Sequence, residues 1–480
     1  MRPIYRPLRP ALNTDPGYLD LLECGRLLDA KAISCEELVH ALLRRIDGHD
    51  ARLNCFIAVY HDEALASARK CDAEMARSGR RSPLHGIPFA AKDIIDLAGR
   101  VTSCHSRILA ENTATRDARV VTMLYDAGAV LIGKTALHEF ATGGPSFDLP
   151  WPPARNPWNP AVHPGGSSSG SGVALAAGFV PFALGTDTGG SVRNPASACG
   201  VVGMKPTFGA VSVDGCFPLS FSLDHVGPMT RTVKDNAVAL SHMLDPATAA
   251  KMKCRLSSTT PFDGVDGDLR GLRIGVIDAF YNGKDVNPEI AATTDAAVDV
   301  LKRIGADVRV LKLSPLSTWA ECGRTILQSE SFAIHADWLR ARAPDYGVRG
   351  RRRLLAGSMI SAERYVRAQQ VRSLLVQEFL DAMRDLDVAV TASSLELPCA
   401  IDDEALIDKT YDKQARMPFN VTGTPAISIP AGLSASGLPI GLQIAGKPHD
   451  EGTVYRAAFG LEQALSLPMR PPMVWGSRSS

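Results

Sequence analysis

The sequence predicts one large α/β domain rather than several small ones. Helical segments alternate with short apolar strand candidates from about residue 35 to about residue 445, and no repeat or low-complexity linker divides them. The length of 480 residues taken alone suggests about three domains, but no boundary separates the early strands from the late ones. Apolar residues make up 45% of the chain and charged residues 21%, which is typical of a folded globular protein.

The first third of the chain predicts helices that lead into buried strands. Ser34-Cys35-Glu36-Glu37 has the form of a capping box, and the apolar repeat after it predicts a helix over about 35–47. A second helix is predicted over about 61–77, and a third over about 118–126 with Gly128 as its cap. Two strand candidates belong here: a short apolar run ending at Lys92, and residues 129–132.

The remaining elements complete the α/β pattern. From 156 to 215 the composition shifts toward Gly, Ser and Pro, and a helical run at 173–177 lies between two Gly-rich turns, 163–172 and 185–191. Downstream, a βαβ unit and three late strands are predicted at 272–277, 288–304 and 307–313, then at 387–392, 425–430 and 439–445. Such a unit implies a parallel pair of strands.

Charge and cysteine content restrict the partners and the compartment. Lys and Arg number 52 against 51 Asp and Glu, so the net charge of +1 provides no field for nucleic acid or an anionic membrane, and we expect neither as a partner. The ten cysteines include no Cys-x-x-Cys pair, which argues against a disulfide framework or a zinc site and favours a reducing, cytoplasmic location. The N-terminus has no apolar segment typical of a signal peptide.

Three local motifs suggest chemistry that their contexts argue against. Gly128 to Thr135 matches the phosphate-binding loop, but a helix precedes it and its middle residues favour a strand, so an ATP-binding protein stays only a minor alternative. His138-Glu139 lacks the second histidine of a zinc protease, because position 142 is Thr. The basic run Arg349 to Arg353 is interpreted as a solvated helix face, since no aromatic residue is interleaved.

The Gly- and Ser-rich segment 163–172 is framed too tightly by a helix and a second turn to be a flexible linker. Small residues there let backbone amides approach a ligand closely. With the motifs around it, the sequence resembles the amidase signature family of Ser-Ser-Lys hydrolases. The matching motifs are Gly86-Ile87-Pro88 with Lys92-Asp93, Gly165-Gly166-Ser167-Ser168, Gly185 through Arg193, Gly203-Met204-Lys205-Pro206-Thr207, Ser222 through Pro228, Phe419 through Ala426, and Gly437 through Gly441. The resemblance implies a central mixed sheet covered by helices on both faces.

The resemblance implies a catalytic triad of Lys92, Ser167 and Ser191, and no metal or other cofactor. In it Ser191 is the nucleophile, Lys92 the base and Ser167 the relay between them, held by a cis peptide bond. Apolar neighbours of Lys92 are expected to lower its pKa from about 10.4 to about 7 or 8, as a base at neutral pH requires. The same family pattern assigns the oxyanion hole to the backbone amides of Thr188, Gly189, Gly190 and Ser191, and supporting roles to Ser168, Asp187 and Arg193.

Two positions depart from the common family pattern. Ser169 stands where Gly is usual, which affects the shape of the loop but not the three catalytic side chains. Arg416 stands where many members have Thr before the late Phe-Asn motif. We expect Arg416 either to bind a substrate carboxylate or to be an ordinary surface arginine, which is the commoner place for that residue type.

The predicted function is hydrolysis of a small-molecule carboxamide through an acyl-enzyme on Ser191, with release of ammonia or a small amine. The alternative is a glutaminase (A) subunit of a glutamyl-tRNA amidotransferase-type complex, which uses the same triad but requires partner subunits. One amidase signature domain is expected over residues 1–480, with a helical N-terminal portion at about 1–80 and a variable substrate-pocket region at about 314–365. The substrate is not readable from one chain, and a homodimer is an open alternative.

Overall fold

The computed structural model describes residues 15–250 and 265–472 of the 480-residue chain. The Arg- and Pro-rich N-terminus, residues 1–14, and Cys254 lie outside the described residues. The nine cysteines within these ranges are all free thiols. In the same ranges, no helix combines the length and the apolarity needed to cross a membrane.

The described residues form one mixed sheet of eleven strands. The strands are β1 (Phe56–Val59), β2 (Pro88–Lys92), β3 (Val130–Thr135), β4 (Phe182–Asp187), β5 (Val202–Lys205), β6 (His225–Thr230), β7 (Arg273–Val276), β8 (Asp307–Val310), β9 (Val388–Ala392), β10 (Ala426–Leu433) and β11 (Pro439–Gly446). Their order across the sheet is β1-β3-β2-β4-β6-β5-β10-β11-β9-β7-β8. β2 is parallel to β3 and β4, and β7 is parallel to β8 and β9, whereas the other neighbours are antiparallel. The predicted mixed sheet is therefore confirmed.

Helices cover both faces of this sheet. They are α1 (Leu21–Asp29), α2 (Cys35–His49), α3 (His61–Ser78), α4 (Arg119–Ala127), α5 (Ser169–Ala176), α6 (Arg193–Cys199), α7 (Val233–Ser241), α8 (Pro246–Ala249), α9 (Pro288–Arg303), α10 (Leu316–Arg342), α11 (Val348–Leu355), α12 (Ala362–Ala382), α13 (Glu404–Thr410), α14 (Met417–Val421) and α15 (Glu451–Leu465). Strand β11 contacts a helix on each face of the sheet. Residues an odd number apart on a strand face opposite sides of the sheet, and Gly441 and Gly446 are such a pair. A Cβ on Gly441 would meet Ser197 of α6 at 2.5 Å, and one on Gly446 would meet Val454 of α15 at 2.5 Å.

The predicted helix starts near residues 35, 61, 118 and 288 and the βαβ unit are confirmed, whereas α5 begins at Ser169, inside the segment predicted as a turn and four residues before the predicted helical run. The capping box of Ser34 and Glu37 is formed at the start of α2. Gly128 ends α4 in the left-handed conformation, and β3 follows it, so the phosphate-loop motif of residues 128–135 is a helix cap and a strand. β7, α9 and β8 form the predicted unit with parallel strands, and the three late strands are β9, β10 and β11.

The second Gly-rich segment differs from its prediction. Residues 185–187 are the end of strand β4 rather than part of a turn, and the turn begins at Thr188. Gly185 lies inside the sheet, where a Cβ would come within 2.8 Å of the Ser168 hydroxyl. Strands β1, β4, β5 and β6 have no counterpart among the predicted strands, because such short segments carry little periodicity.

The sheet places two motif segments side by side. β2 and β4 are parallel neighbours, and Ala91 of β2 pairs with Leu184 of β4. Carboxyl ends of parallel neighbouring strands lie at the same edge of a sheet, which is where loops form ligand sites. Lys92 and Asp187, the last residues of these two strands, therefore lie at a common edge.

Candidate active site

A cavity of about 130 Å³ lies at this edge of the sheet. The loops before α5 and α6 form its floor, and α10, α11 and the segment before α14 contribute its walls. Its lining includes Ser167, Thr188, Gly189, Gly190, Ser191, His138, Tyr411, Arg324, Gln328, Arg353, Asp412 and Arg416. Predicted site residues from two separate motifs, Ser167 and the run Thr188 to Ser191, are thus brought to one cavity together with Arg416.

Lys92 is fully buried beneath this cavity at the end of β2. Its Nζ donates to Ser167 Oγ at 2.8 Å and to Thr186 Oγ1 at 2.7 Å. Burial lowers the pKa of Lys92 to about 7, and the more distant carboxylates of Asp187 and Asp224 offset only part of that effect. An amine with this pKa is about half neutral at physiological pH, as a general base requires.

Ser167 lies between Lys92 and the cavity. The peptide bond from Gly166 to Ser167 is cis, as the resemblance implies. The imidazole of His138 occupies the space beside Gly166, where a Cβ would lie 2.2 Å from a ring carbon. The backbone N–H of His138 also donates to the Ser167 carbonyl at 3.1 Å. The cavity-lining hydroxyl of Ser167 is thereby held within reach of the buried amine.

Ser191 lies in the turn between β4 and α6. It lines the same cavity as Ser167, is only partly buried, and accepts a hydrogen bond at its carbonyl from the Ser168 amide at 3.2 Å. The Ser168 hydroxyl makes two hydrogen bonds with the backbone of Thr186. It donates to the Thr186 carbonyl at 3.3 Å and accepts from the Thr186 amide at 3.2 Å. Ser168 therefore supports the site by positioning Thr186, the second hydrogen-bond partner of Lys92.

Asp187 and Arg193 hold the turn that carries Ser191. Both side chains are fully buried, and Arg193 Nη2 lies 2.9 Å from Asp187 Oδ1. Burial would raise the pKa of Asp187, but the guanidinium of Arg193 and the hydrogen bonds around the carboxylate keep that pKa well below its usual range. The carboxylate also accepts from the amides of Gly190 at 2.8 Å and Val192 at 3.1 Å. Because the Gly190 amide is engaged in this way, the amides of Thr188, Gly189 and Ser191 are the stronger candidates for the oxyanion hole.

Thr188, at the start of the same turn, is hydrogen-bonded to a second carboxyl group, that of the half-buried Asp224. Its hydroxyl donates to Asp224 Oδ1 at 2.5 Å, and Asp224 Oδ2 accepts from the amides of Leu219 and Ser220. Burial raises the pKa of Asp224 to about 6, with the hydrogen bond from Thr188 offsetting part of the rise. The sequence analysis included this aspartate in a motif but gave it no role.

Arg416 is buried, with only 2% of its surface exposed, so the interpretation as a surface arginine is wrong. Its Nη1 donates to the Ser393 carbonyl at 2.8 Å and to Ser394 Oγ at 2.7 Å. Its side chain crosses Gly190, where a Cβ would lie 2.5 Å from Nε. Sequence position alone could not indicate this, because Ser393 follows β9 and lies more than twenty residues away along the chain.

The basic run of α11 is also not a solvated face throughout. Arg349 is 5% exposed and its Nη1 lies 2.6 Å from Asp408, while Arg353 lines the cavity and lies 2.9 Å from Asp412. Asp408 belongs to α13, and Asp412 lies in the segment after it. These ion pairs with a neighbouring segment take the two arginines out of the solvated face.

Several cavity or support residues had no site role predicted from the sequence, among them Thr186, His138, Tyr411 and Asp412. His138 was considered only as part of a metal motif. Within the described ranges, no group of three or more metal-ligating side chains could hold an ion. Its neighbour Glu139 instead accepts from Ser106 Oγ at 2.6 Å and from the Gly347 amide at 3.0 Å, which anchors the start of α11.

Comparison with known proteins gives consistent matches over nearly the whole chain. The Amidase family model matches residues 37–455. The A subunit of glutamyl-tRNA(Gln) amidotransferase from Anaeromyxobacter dehalogenans is 37% identical, covering 95% of this chain and 98% of that protein. Its counterpart from Exiguobacterium sibiricum is 36% identical, covering 90% of this chain and 94% of that protein.

Solved structures also match nearly the whole chain. A chain described in work on a vestigial protein complex and the origins of an s-triazine catabolic enzyme superposes with a TM-score of 0.85 at 30% identity, covering 94% of this chain and 99% of that chain. The peptide amidase of Stenotrophomonas maltophilia superposes with a TM-score of 0.82 at 31% identity, covering 97% of this chain and 99% of that chain.

The expectation that excludes nucleic acid as a partner is wrong in the light of these relatives. The curated proteins at 36–37% identity are named as subunits of a tRNA amidotransferase, a name that implies both partner chains and a nucleic acid. The physical reason is that a net charge near zero describes only the long-range field of the whole chain. It does not restrict contacts made by local surfaces or through other subunits.

The match of the family model to most of the chain agrees with the motifs, the sheet and the buried Lys92 at its edge. The chain therefore belongs to the amidase signature family.

Proposed function

We propose that this chain hydrolyses a primary carboxamide, with Ser191 as nucleophile, Ser167 as relay and Lys92 as base. The observation that carries the proposal is the hydrogen bond of 2.8 Å from the fully buried Lys92 amine to the hydroxyl of Ser167, a residue that lines the same cavity as Ser191. Lys92 itself does not line the cavity. A proton from Ser191 can therefore reach the amine through Ser167.

In the first half of the reaction, the neutral amine of Lys92 accepts the Ser167 proton while Ser167 accepts the proton of Ser191. The Ser191 oxygen forms a bond to the amide carbon, and the carbonyl oxygen takes the negative charge. The turn amides that Asp187 does not engage, those of Thr188, Gly189 and Ser191, donate to that oxygen in this proposal, as electrostatic stabilisation of the intermediate requires. The C–N bond then breaks, and ammonia leaves with the proton returned from Lys92 through Ser167.

In the second half, water attacks the ester on Ser191. Lys92 and Ser167 take the water proton in the same sequence and return it to Ser191 as the acid is released. The balance is one carboxamide and one water giving one carboxylic acid and one ammonia. No group outside the chain is needed for either proton transfer.

We further propose that the chain works as the glutaminase component of an amidotransferase-type assembly. The support is that the curated relatives at 36–37% identity, aligned over 94–98% of their own lengths, are named as the A subunit of glutamyl-tRNA(Gln) amidotransferase. In that role the ammonia produced at Ser191 is passed to a partner chain. Glutamine, a primary carboxamide, is the corresponding ammonia donor.

The test isolates the tagged chain from its native cells, identifies the co-purifying proteins, and measures ammonia release from glutamine. We expect stable partner chains, and glutaminase activity that Ser191→Ala abolishes in the assembly. A Ser191→Ala assembly with unchanged ammonia release would overturn the mechanism. The role in an assembly would be overturned by a chain that purifies as a monomer and releases no ammonia from glutamine even when an extract of its native cells is added back.

An amidase that acts without partner subunits is the second candidate. The observation that favours it is the likeness to the peptide amidase of Stenotrophomonas maltophilia, with a TM-score of 0.82 over 97% of this chain. The same purification distinguishes the two. An isolated chain that turns over small amides as fast as any assembly containing it supports the second candidate.

A further inference from the structure

Glu330 is a buried carboxylate in α10 that the proposed mechanism does not use. It is 2% exposed, and four hydrogen-bond donors converge on its two oxygens. Oε2 accepts from Ser220 Oγ at 2.5 Å and from the Ser222 amide at 3.1 Å, while Oε1 accepts from Ser222 Oγ at 2.7 Å and from the Tyr365 hydroxyl at 2.9 Å. Hydrogen bonds to a charged acceptor are among the stronger ones in proteins. Glu330 therefore holds residues 220–222 against α10.

The loop held in this way leads to the catalytic turn. Within this loop, residues 219–224, the Ser220 amide donates to Asp224 Oδ2 at 3.0 Å, and the Asp224 amide donates to the Ser220 carbonyl at 2.9 Å. The other carboxylate oxygen, Asp224 Oδ1, accepts from the Thr188 hydroxyl at 2.5 Å. Ser220 thus joins two carboxylates, because its side chain bonds to Glu330 and its amide bonds to Asp224. The position of Asp224, and with it that of Thr188, depends on where Glu330 holds Ser220.

Thr188 begins the turn whose free amides form the oxyanion hole in the proposed mechanism. Donors in such a hole must lie about 2.7–3.1 Å from the developing oxyanion, so a small displacement of the turn weakens the stabilisation. Asp187 holds the later part of the turn through the Gly190 amide, and Asp224 holds its start through the Thr188 hydroxyl. The second of these two attachments is the one that Glu330 supports.

The helix that carries Glu330 also forms a wall of the cavity. Gln328 and Ser331 of α10, which flank Glu330 in the sequence, line the cavity, and Leu219 of the loop lines it as well. The contacts of Glu330 therefore connect the wall of the cavity with the turn that carries the oxyanion donors.

Glu378 of α12 provides a matched comparison. Its carboxylate accepts from the Ser314 amide at 2.5 Å and from Ser314 Oγ at 2.9 Å, so it holds the segment that leads into α10. Neither Glu378 nor Ser314 is among the residues that line the cavity. The same substitution at Glu378 therefore weakens an attachment of the same helix at a place remote from the turn.

We propose that Glu330 is a positioning residue for the reaction. Through the loop 219–224 and Asp224, it holds Thr188 where the amides of the turn can stabilise the oxyanion. It acts on the transition state rather than on substrate binding, because its contacts reach the turn and not the substrate. This inference rests on the proposed function, since it requires that an oxyanion form beside Ser191.

The kinetic test uses Glu330→Gln, which keeps the size of the side chain but replaces one acceptor oxygen by an NH2 group. Ammonia release from glutamine gives kcat and KM for the protein purified from its native cells with the chains that accompany it. We expect kcat to fall about 10- to 100-fold, less than on outright loss of an oxyanion donor, and KM to change less than about threefold. Glu378→Gln, the matched control, should change both constants less than about twofold, because Glu378 holds no part of the turn.

Hydrogen exchange measured by mass spectrometry gives a second readout that does not depend on turnover. We expect peptides that cover residues 217–224 and 186–192 to exchange about 10-fold faster in Glu330→Gln than in the parent protein, because both segments lose a fixed attachment. The same peptides should exchange at the parent rate in Glu378→Gln.

The outcomes separate this inference from the proposed function. A loss in Glu330→Gln that lies in KM, or an equal loss of kcat in Glu378→Gln, overturns the role of Glu330. Unchanged exchange at 186–192 also overturns it. A parent protein that releases no ammonia from glutamine or from small amides overturns the proposed function, while the exchange comparison still tests the connection from Glu330 to the turn.

Thermal unfolding of each variant checks its folding. If Glu330→Gln does not fold, Ser220→Ala removes the hydrogen bond between the loop and Glu330 while leaving the carboxylate in place. The same changes in kcat and in exchange are then expected, and their absence overturns the proposal.

Discussion

Lys92 Nζ lies 2.8 Å from Ser167 Oγ, and both side chains are at most 2% exposed. Protonation of a lysine in this position is disfavoured in free energy, because burial removes the hydration of the ammonium group. The proposed proton transfer depends on this hydrogen bond, and burying the amine that makes it costs folding free energy.

Removing the nucleophile or the base should abolish activity without unfolding the protein. We expect Ser191→Ala and Lys92→Ala each to lower kcat by about a thousandfold or more, as triad substitutions do. Steady-state ammonia release gives the rates, and circular dichroism with thermal unfolding checks the fold. A Lys92→Ala protein with normal turnover would contradict the mechanism.

The activity should increase with pH as Lys92 loses its proton. The pKa of Lys92 is lowered to about 7 by burial, and only the neutral amine can accept a proton. A plot of kcat/KM against pH should therefore rise through about pH 7 and level off above it. Asp224, with its pKa raised to about 6, is the nearby group that could produce a similar limb. The rising limb should persist in Asp224→Asn, and its loss there would assign it to the aspartate instead.

The same pKa shift should appear in stability. Between about pH 7 and about pH 10.4 the unfolded chain holds a proton on Lys92 that the folded chain has lost, so this residue makes stability increase with pH in that window. The difference in unfolding free energy between the parent protein and Lys92→Met isolates this contribution from that of other groups. A difference that stays constant across the window would contradict the lowered pKa.

Two buried lysines should respond in opposite ways to the same substitution. Lys134 Nζ lies 2.7 Å from the buried Asp93, whereas Lys92 makes no ion pair among the described residues. Lys134→Met leaves Asp93 buried without its cation and should cost about 3–5 kcal/mol of stability. Lys92→Met removes an unpaired buried charge and should leave stability unchanged or raise it by about 1 kcal/mol. Chemical denaturation of the two variants at pH 7 provides the measurement, and a larger loss for Lys92→Met would refute the contrast.

Asp187 and Arg193 should be strongly coupled. Each is fully buried, and removing one leaves the other as an uncompensated charge. We expect Arg193→Met to cost about 3–5 kcal/mol, and the double variant with Asp187→Asn to cost clearly less than the sum of the two single variants. A double-mutant cycle by urea unfolding measures this, and additive losses would show that the pair is not a unit.

Much of the fold was predictable because its signals are local. The capping box at Ser34 and Glu37, the glycine cap at Gly128 and the βαβ unit around α9 each depend on residues close together in sequence. The short strands β1, β4, β5 and β6 were not predicted, since they are strands only because neighbouring strands supply their hydrogen bonds. The same difference separates Ser167 and Ser191, which lie in motifs, from Tyr411 and Asp412, which join the site through tertiary contacts.

By itself, the sequence determined the order of the motifs, the starts of capped helices such as α2 and α9, and the residue types available for chemistry, because these are properties of adjacent residues. Only the tertiary structure decided that Lys92 is buried without a counter-ion, that the Gly190 amide is engaged by Asp187, and that Arg416 is buried against the catalytic turn. Burial and pairing depend on segments that are far apart in the chain. A residue such as Arg416 therefore has the same local sequence whether it lies at a surface or beside a reactive serine.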